Sequence, residues 1–404
     1  MNLVQTLRER SELQPGVPAL IDRCFSGDRV LTYSGLNRLV DFLSFELREK
    51  KILPGDRVLF GVDASQEMYG YLLAALQIGA VPILYDDSEP RDDFVAWIRA
   101  LEPKACLISR KGWLGSQFNG AIKHIPLKIY VGHVRSQARW LRLGKLGSLE
   151  DQPANSPALI CLVGAASSHL AFRLWSQSQL YESVQLLVSH LKLKAGEIDL
   201  CASPLHLLGN LAAGLTSLVG PCFAHSIERQ IQKFKPTRIA AESPIIRRLL
   251  RQSFSPLHKV FITDAPLEPE VIDYFTGRLQ HANIELIFYE DLPLASLSLR
   301  EYERKGGATL VGNFFSAVEA RISTQKRTDQ PTLRSEDESN GSQPAAIGEL
   351  VVRGPFLPNR RTLSDLAKEA PLLAGSANGD WCFTGAFGYF DGGARFWLTA
   401  RTAK

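Results

Sequence analysis

Short apolar runs spaced about one helix apart constrain this chain more than any other feature. "RVLFGV" (57–62), "AVPIL" (80–84), "ACLIS" (105–109) and "LICLV" (159–163) are strand-length and lack the polar alternation of a half-exposed strand. The segments between them read as helices. Leu36, Leu39, Val40, Leu43 and Leu47 share one face of a helix expected over 34–51 with Ser34 as its cap, and a second helix over 66–78 stops at Gly79. Downstream, helices at 176–193, 205–219, 243–252 and 267–279 alternate with strands at 198–202, 237–241, 258–262 and 284–288. Such alternation builds a parallel α/β sheet. The expected fold class is α/β, with two α/β sheet lobes plus a small β subdomain. The lobes occupy 1–322, a mobile polar loop 323–346, and the β subdomain, with "WCF", "GYF" and "RFWL", 347–404.

The rest of the composition serves mainly to exclude. A net charge of +4 is too mild to argue for nucleic acid. The six cysteines form no C-x-x-C pair and the eight histidines no H-x-x-x-H, so neither a disulfide framework nor a zinc site is expected. No run approaches membrane-spanning length, the N-terminus lacks a signal-peptide core, and the cytoplasm is the expected compartment. Residues 133–146, with Arg135, Arg139, Arg142 and Lys145 among Trp140, Leu141 and Leu143, read in two ways. One is a membrane-surface segment. The other is a basic surface linker, favoured because Gly144 and Gly147 cut a helix short.

After the strand "LICLV" comes a small-residue loop, Gly164-Ala165-Ala166-Ser167-Ser168. A strand leading into such a loop is a common place to hold phosphate. This loop has one glycine and no lysine. The alternatives are an anion loop rewired around Ser167, Ser168 and His169, or an ordinary connection.

Several segments, in order, resemble the AMP-dependent synthetase/ligase (adenylate-forming) superfamily. "LTYSGLNRLVDFLSFELREKKILPGDRVLF" is similar to its T-Y-x-x-L helix and P-G-D-x-V turn, and "YLLAALQIGAVPILYD" to its helix–glycine–A-V-P-V segment. "GELVVRGP" and "WCFTGAFGYFDGGARFWLTAR" resemble its late strand and its W-x-x-T-G-D to G-R segment. "DLCASPLHLLGNLAAGLTSL" and "RIAAESPIIRRLL" look most like the subgroup of olefin β-lactone synthetases and fatty-acyl ligases. The resemblance implies the large N-terminal domain of these enzymes. It also implies their chemistry, in which a carboxylate attacks the α-phosphate of ATP, assisted by Mg²⁺, and a second nucleophile takes the acyl group.

Carried over residue by residue, that chemistry meets substitutions. The family's T-S-G-[ST]-T-G-x-P-K falls on 163–171, so its glycines become Ala165 and Ser168 and its lysine Ala171. G-G-A-P falls on Thr263-Asp264-Ala265-Pro266, placing an acid on the adenine side. Y-G-x-T-E falls on 289–293. Tyr289 remains as a purine-stacking candidate, Asp291 is a displaced acid, and Pro293 replaces the magnesium glutamate. T-G-D becomes Thr384-Gly385-Ala386, which removes the ribose aspartate, while Arg401 matches the family's arginine. His206 stands where the family places an aromatic or histidine beside the acyl pocket. The remnants of a nucleotide pocket are therefore Gly164, Ser167, Ser168, Asp264, Tyr289, Asp291 and Arg401, with His206 as an acyl-pocket candidate and no catalytic or metal-binding residue. The resemblance ends at the family's hinge, so the small C-terminal domain with its catalytic lysine is expected to be absent.

The resulting expectation is a degenerate member acting as a binding or assembly module, with fatty-acyl pathway enzymes as partners. The alternative is a divergent fatty-acyl ligase that uses ATP and Mg²⁺ with unconventional residues or a C-terminal domain on a separate chain.

Overall fold

The computed structural model describes residues 3–401 apart from 25–26, 63, 86–91, 110–121, 133–148, 164–170, 202, 220–225, 251–256, 266, 290–292, 324–346, 358 and 363–380. In chain order the first elements are α1 (Val4–Leu13), the hairpin β1 (Pro18–Cys24) and β2 (Gly27–Thr32), α2 (Tyr33–Glu49), β3 (Arg57–Gly61), α3 (Gln66–Gln77), β4 (Val81–Leu84), α4 (Asp92–Leu101), β5 (Ala105–Ser109) and β6 (Leu127–Val131). The middle of the chain forms β7 (Pro157–Val163), β8 (Ala171–Ser176), α5 (Gln177–His190), β9 (Ile198–Cys201), α6 (Pro204–Ala213), β10 (Thr216–Leu218), α7 (Ser226–Phe234), β11 (Arg238–Ala241), α8 (Ser243–Leu250), β12 (Lys259–Ala265), α9 (Pro269–Arg278) and β13 (Asn283–Tyr289). The remainder is mostly strand: β14 (Pro293–Ser298), β15 (Arg304–Lys305), β16 (Ala308–Phe314), β17 (Glu319–Ser323), β18 (Gly348–Arg353), β19 (Asn359–Thr362), β20 (Cys382–Phe390) and β21 (Phe396–Arg401).

The chain divides into two units. One comprises Met1–Arg238 and Phe356–Gly375, the other Ile239–Pro355 and Ser376–Lys404. The first unit holds a seven-stranded sheet ordered β19-β8-β7-β4-β3-β5-β6 and the strands β9-β10-β1-β2. Strands β3, β4, β5, β6 and β7 run parallel, as their continuous apolar sequences require. Ile83, Ile160, Phe172 and Leu174 pack with Phe94 and Trp97 of α4 in one core cluster. The second unit carries β11 to β14, then β16, β21, β20, β18 and β17, with β15 alongside β16. The C-terminal strands, expected as a small β subdomain, thus extend the sheet begun by β12 and β13.

Several elements differ from the sequence expectation for local reasons. Thr32 rather than Ser34 caps α2, its hydroxyl accepting from Gly35 N at 3.1 Å. The helix expected over 205–219 ends at Ala213, because Gly214 turns left-handed at φ 83° and releases the chain into β10. The segment before α5 is a strand, β8, antiparallel to β7. Its alternation explains it: Phe172 and Leu174 are fully buried while Arg173 between them is half-buried. The helical reading of 66–78 holds as α3, which is buried along its whole length. Residues 133–146 and the polar stretch 324–346 lie outside the described residues.

Candidate functional site

In the first unit the candidate phosphate loop leaves the carboxyl end of β7, which runs parallel to β4. Open α/β sheets place ligands at that edge. Val163 pairs with Ala171, so 164–170 joins the two strands of a hairpin. Gly164, Ser167 and Ser168 themselves lie outside the described residues. On its far side β8 pairs with β19, a strand drawn from much later in the chain, with Thr362 opposite Ala171 and Arg360 opposite Arg173. The sequence reading did not find this strand. Its only signal is the short run "NRRT" after Pro358.

His206 lies in the first turn of α6. Ser203 caps that helix, its hydroxyl accepting from His206 N at 3.2 Å, and Pro204 fits the first helical position. The His206 side chain is buried. Burial, reinforced by the nearby positive charge of Arg238, pushes its pKa down to about 4. The imidazole is therefore neutral at physiological pH. Beneath α6 lies a polar network that sequence reasoning missed. Asn210 Nδ2 donates to Asp199 Oδ2 at 2.7 Å and Ser217 Oγ at 3.1 Å. Arg238 donates to Asp199 Oδ1 at 3.2 Å and Glu197 Oε2 at 3.1 Å. Its signal was an aspartate and an arginine inside apolar strand runs, where an ion needs a partner.

The second unit brings other candidates to strand ends. Asp264 and Tyr289 sit near the carboxyl ends of the adjacent parallel strands β12 and β13. The Asp264 carboxylate is engaged by Ser243 at the start of α8: the backbone N donates to Oδ1 at 2.7 Å and the hydroxyl donates to Oδ2. Tyr289 pairs with Pro293 across the β13–β14 turn. Asp291 lies outside the described residues. In β20 and β21, Ala386 stands directly opposite Arg401. The register thus brings together the two positions that the resemblance assigns to the ribose and its arginine.

Around Ala386 the polar groups are engaged with one another. Thr384 Oγ1 donates to Leu350 O at 2.9 Å, and Gly385 N donates to Glu349 Oε1 at 2.8 Å. Ala386 itself is 0% exposed. Glu349, another residue the sequence reading passed over, is buried and ties β18 to β20. Among the described residues, no helix is long and apolar enough to cross a membrane.

Ala386 stands where the resemblance places the ribose aspartate, Pro293 begins β14 where it places the magnesium glutamate, and the acid at 264 is held by Ser243.

Residues 7–161 match the sequence model of the AMP-binding enzyme family. Olefin beta-lactone synthetase from Stenotrophomonas maltophilia (strain K279a) is 25% identical over 420 residues, covering 93% of this chain and 73% of that protein. Among solved structures, the inhibitor-bound N-terminal domain of FACL13 from Mycobacterium tuberculosis superposes with a TM-score of 0.77 at 14% identity over 99% of both chains. Unliganded O-succinylbenzoate coenzyme A synthetase from Bacillus subtilis does so at 0.75 and 16% identity, over 97% of this chain and 78% of that one. At these identities the structures speak for the fold.

Proposed function

The chain belongs to the AMP-dependent synthetase/ligase superfamily, and from that premise we propose that it keeps the adenylate-forming fold as a binding or assembly module without carrying out ATP-dependent carboxylate adenylation. One observation carries this reading: the ribose position is a fully buried alanine that follows a threonine and a glycine whose polar groups bond within the sheet. Adenylation depends on holding ATP so that its α-phosphate meets a carboxylate, and positioning of that kind supplies much of an enzyme's rate. Here the diol has no acidic acceptor at that position. The substitutions Ala171 and Pro293 act in the same direction. Each lost contact of this type costs about 3 kcal/mol of transition-state stabilisation, and such losses combine without strict additivity.

The partners of such a module are other enzymes of fatty-acyl metabolism. This follows from the similarity to a β-lactone synthetase and is an argument by analogy.

Two measurements test the reading. Pyrophosphate exchange with ATP, Mg²⁺ and a panel of fatty acids gives no fatty-acid-dependent signal. In calorimetric titration, ATP binds no more tightly than inorganic triphosphate, because the nucleoside adds no contact. Fatty-acid-dependent exchange, or a clear preference for ATP, overturns it.

A further inference from the structure

Helix α2 has two contrasting faces. Its inner face holds Leu36, Leu39, Val40, Leu43 and Leu47, all buried, and the helix packs on α1 and α3. On the opposite side Arg38, Phe42, Phe45 and Glu49 follow one another at steps of four, three and four residues. At about 100° per residue they fall in a stripe about 60° wide. Arg38 and Glu49 are exposed, Phe42 is half-buried and Phe45 is 52% exposed. The polar residues bordering the stripe are engaged within the chain: Glu46 Oε2 accepts from Tyr71 at 2.9 Å, and Arg48 donates to Glu150 Oε1 at 2.9 Å. The stripe itself presents two aromatic rings to the outside, with a cation at one end and an anion at the other.

Steps of four, three and four are those of a coiled-coil seam, where one helix meets another. The order of the residues selects the other helix. The pair Phe42 and Phe45 and the pair Arg38 and Glu49 are centred on the same point, midway between residues 43 and 44. A two-fold axis through that point, perpendicular to the helix, sets Phe42 of each copy against Phe45 of the other. It also sets Arg38 of each copy against Glu49 of the other, twice over, as a two-fold interface requires. A parallel pairing would oppose arginine to arginine and glutamate to glutamate. Within one helix Arg38 and Glu49 are about 16 Å apart, too far to satisfy each other. Val30 and Leu53, two more exposed apolar residues, lie just before and just after α2, and antiparallel pairing brings those two ends together. A seam one helix wide is smaller than the standard interface of about 1,600 Å², so the association is reversible.

We propose that the Arg38–Phe42–Phe45–Glu49 stripe of α2 pairs with the same stripe of a second copy of this chain, antiparallel across a two-fold axis, to give a reversible homodimer. The pairing goes beyond the reading above and stands whether or not ATP is turned over.

The test is sedimentation velocity of the full chain over a range of concentrations, at low and high salt. The unaltered protein passes from monomer to dimer as its concentration rises, and salt weakens the dimer because its charge pairs lie near water. Phe45→Asp weakens dimerisation at least tenfold. Arg38→Glu and Glu49→Arg each weaken it at least threefold, since each sets like charges opposite one another twice. Mixed in equal amounts, these two variants form a joint dimer more readily than either pairs with itself. The double variant Arg38→Glu/Glu49→Arg recovers the original affinity, which a merely local role for either residue does not explain. The substituted side chains are at least half exposed or charged at the surface, and an unchanged Tm shows that each variant is folded. A chain that stays monomeric at every concentration, its stripe left to a different partner, overturns the proposal. So does a dimer that Phe45→Asp leaves intact, or a pair of charge variants that gains nothing on mixing.

Discussion

At the scale of single residues, Ala386 is where the proposed loss of adenylation meets its sharpest test. Its methyl is fully buried, and the groups beside it, Gly385 N and Thr384 Oγ1, already have acceptors. A carboxylate placed there by Ala386→Asp enters a packed site whose neighbouring donors are engaged. Burying a polar group without partners costs about 3 kcal/mol. Urea unfolding is expected to show a loss of that order, and ATP is expected to gain no advantage over inorganic triphosphate. A stable variant that prefers ATP shows instead that position 386 opens on a nucleotide pocket. His206 gives a second prediction. Burial holds its folded pKa at about 4, below its ordinary value of 6.5. Between those values the unfolded chain binds a proton that the folded chain does not. The stability contributed by the neutral imidazole is complete above pH 6.5 and is lost as pH falls through 4, at up to about 1.4 kcal/mol per pH unit. His190, whose pKa is also pushed down to about 4 by burial, adds to the same limb. His206→Gln is expected to make the acid limb of the stability profile shallower; an unchanged limb rules out this account.

At the scale of elements, α5 and β19 show what was legible and what was not. The start of α5 was readable, because Ser176 and Gln179 form a capping box: Ser176 Oγ accepts from Gln179 N at 3.2 Å and Gln179 Oε1 accepts from Ser176 N at 2.9 Å. The same glutamine has a second use that no local pattern reveals. Its Nε2 donates to Leu357 O at 2.8 Å, and Ser183 Oγ donates to Phe356 O at 2.9 Å. Together they fix the segment that feeds β19 onto the edge of the seven-stranded sheet. Gln179→Ala is expected to lower stability by about 1–2 kcal/mol and to speed amide exchange at 359–362 above exchange in β7. Uniform exchange in the two strands removes Gln179 as the anchor. The α/β alternation was legible because helix and strand periods are local properties of the chain. The pairings of β8 with β19 and of Ala386 with Arg401 depend on contacts between distant segments, which periodicity does not encode. The candidate site was therefore visible as a set of substitutions, while its geometry was not. Asp264 illustrates the gap: an acid in a suggestive position is held by Ser243 at the start of α8.

At the scale of the whole molecule, Arg238 occupies an unusual place. It is the last residue of the first unit and the first of β11, and its guanidinium is 1% exposed. It donates to Asp199, to Glu197 and to the Leu191 carbonyl, joining β9 to the segment between α5 and β9. Asp199 is 2% exposed, and burial raises its pKa while Arg238 and Asn210 draw it down. An ion pair this deep contributes little net stability relative to apolar packing, yet removing one partner strands the other. Arg238→Ala is accordingly expected to cost about 3–5 kcal/mol at neutral pH. The sign of its pH dependence follows. Without Arg238 the Asp199 pKa rises further above its unfolded value, so the folded variant binds a proton that the unfolded chain does not, and the deficit shrinks as pH falls. His206 moves the same way, since loss of the Arg238 charge lets its depressed pKa recover. Urea unfolding of both proteins at pH 7 and pH 5 measures the difference. A deficit that stays constant or grows toward acid shows that Arg238 acts by packing alone and that Asp199 is not the stranded charge.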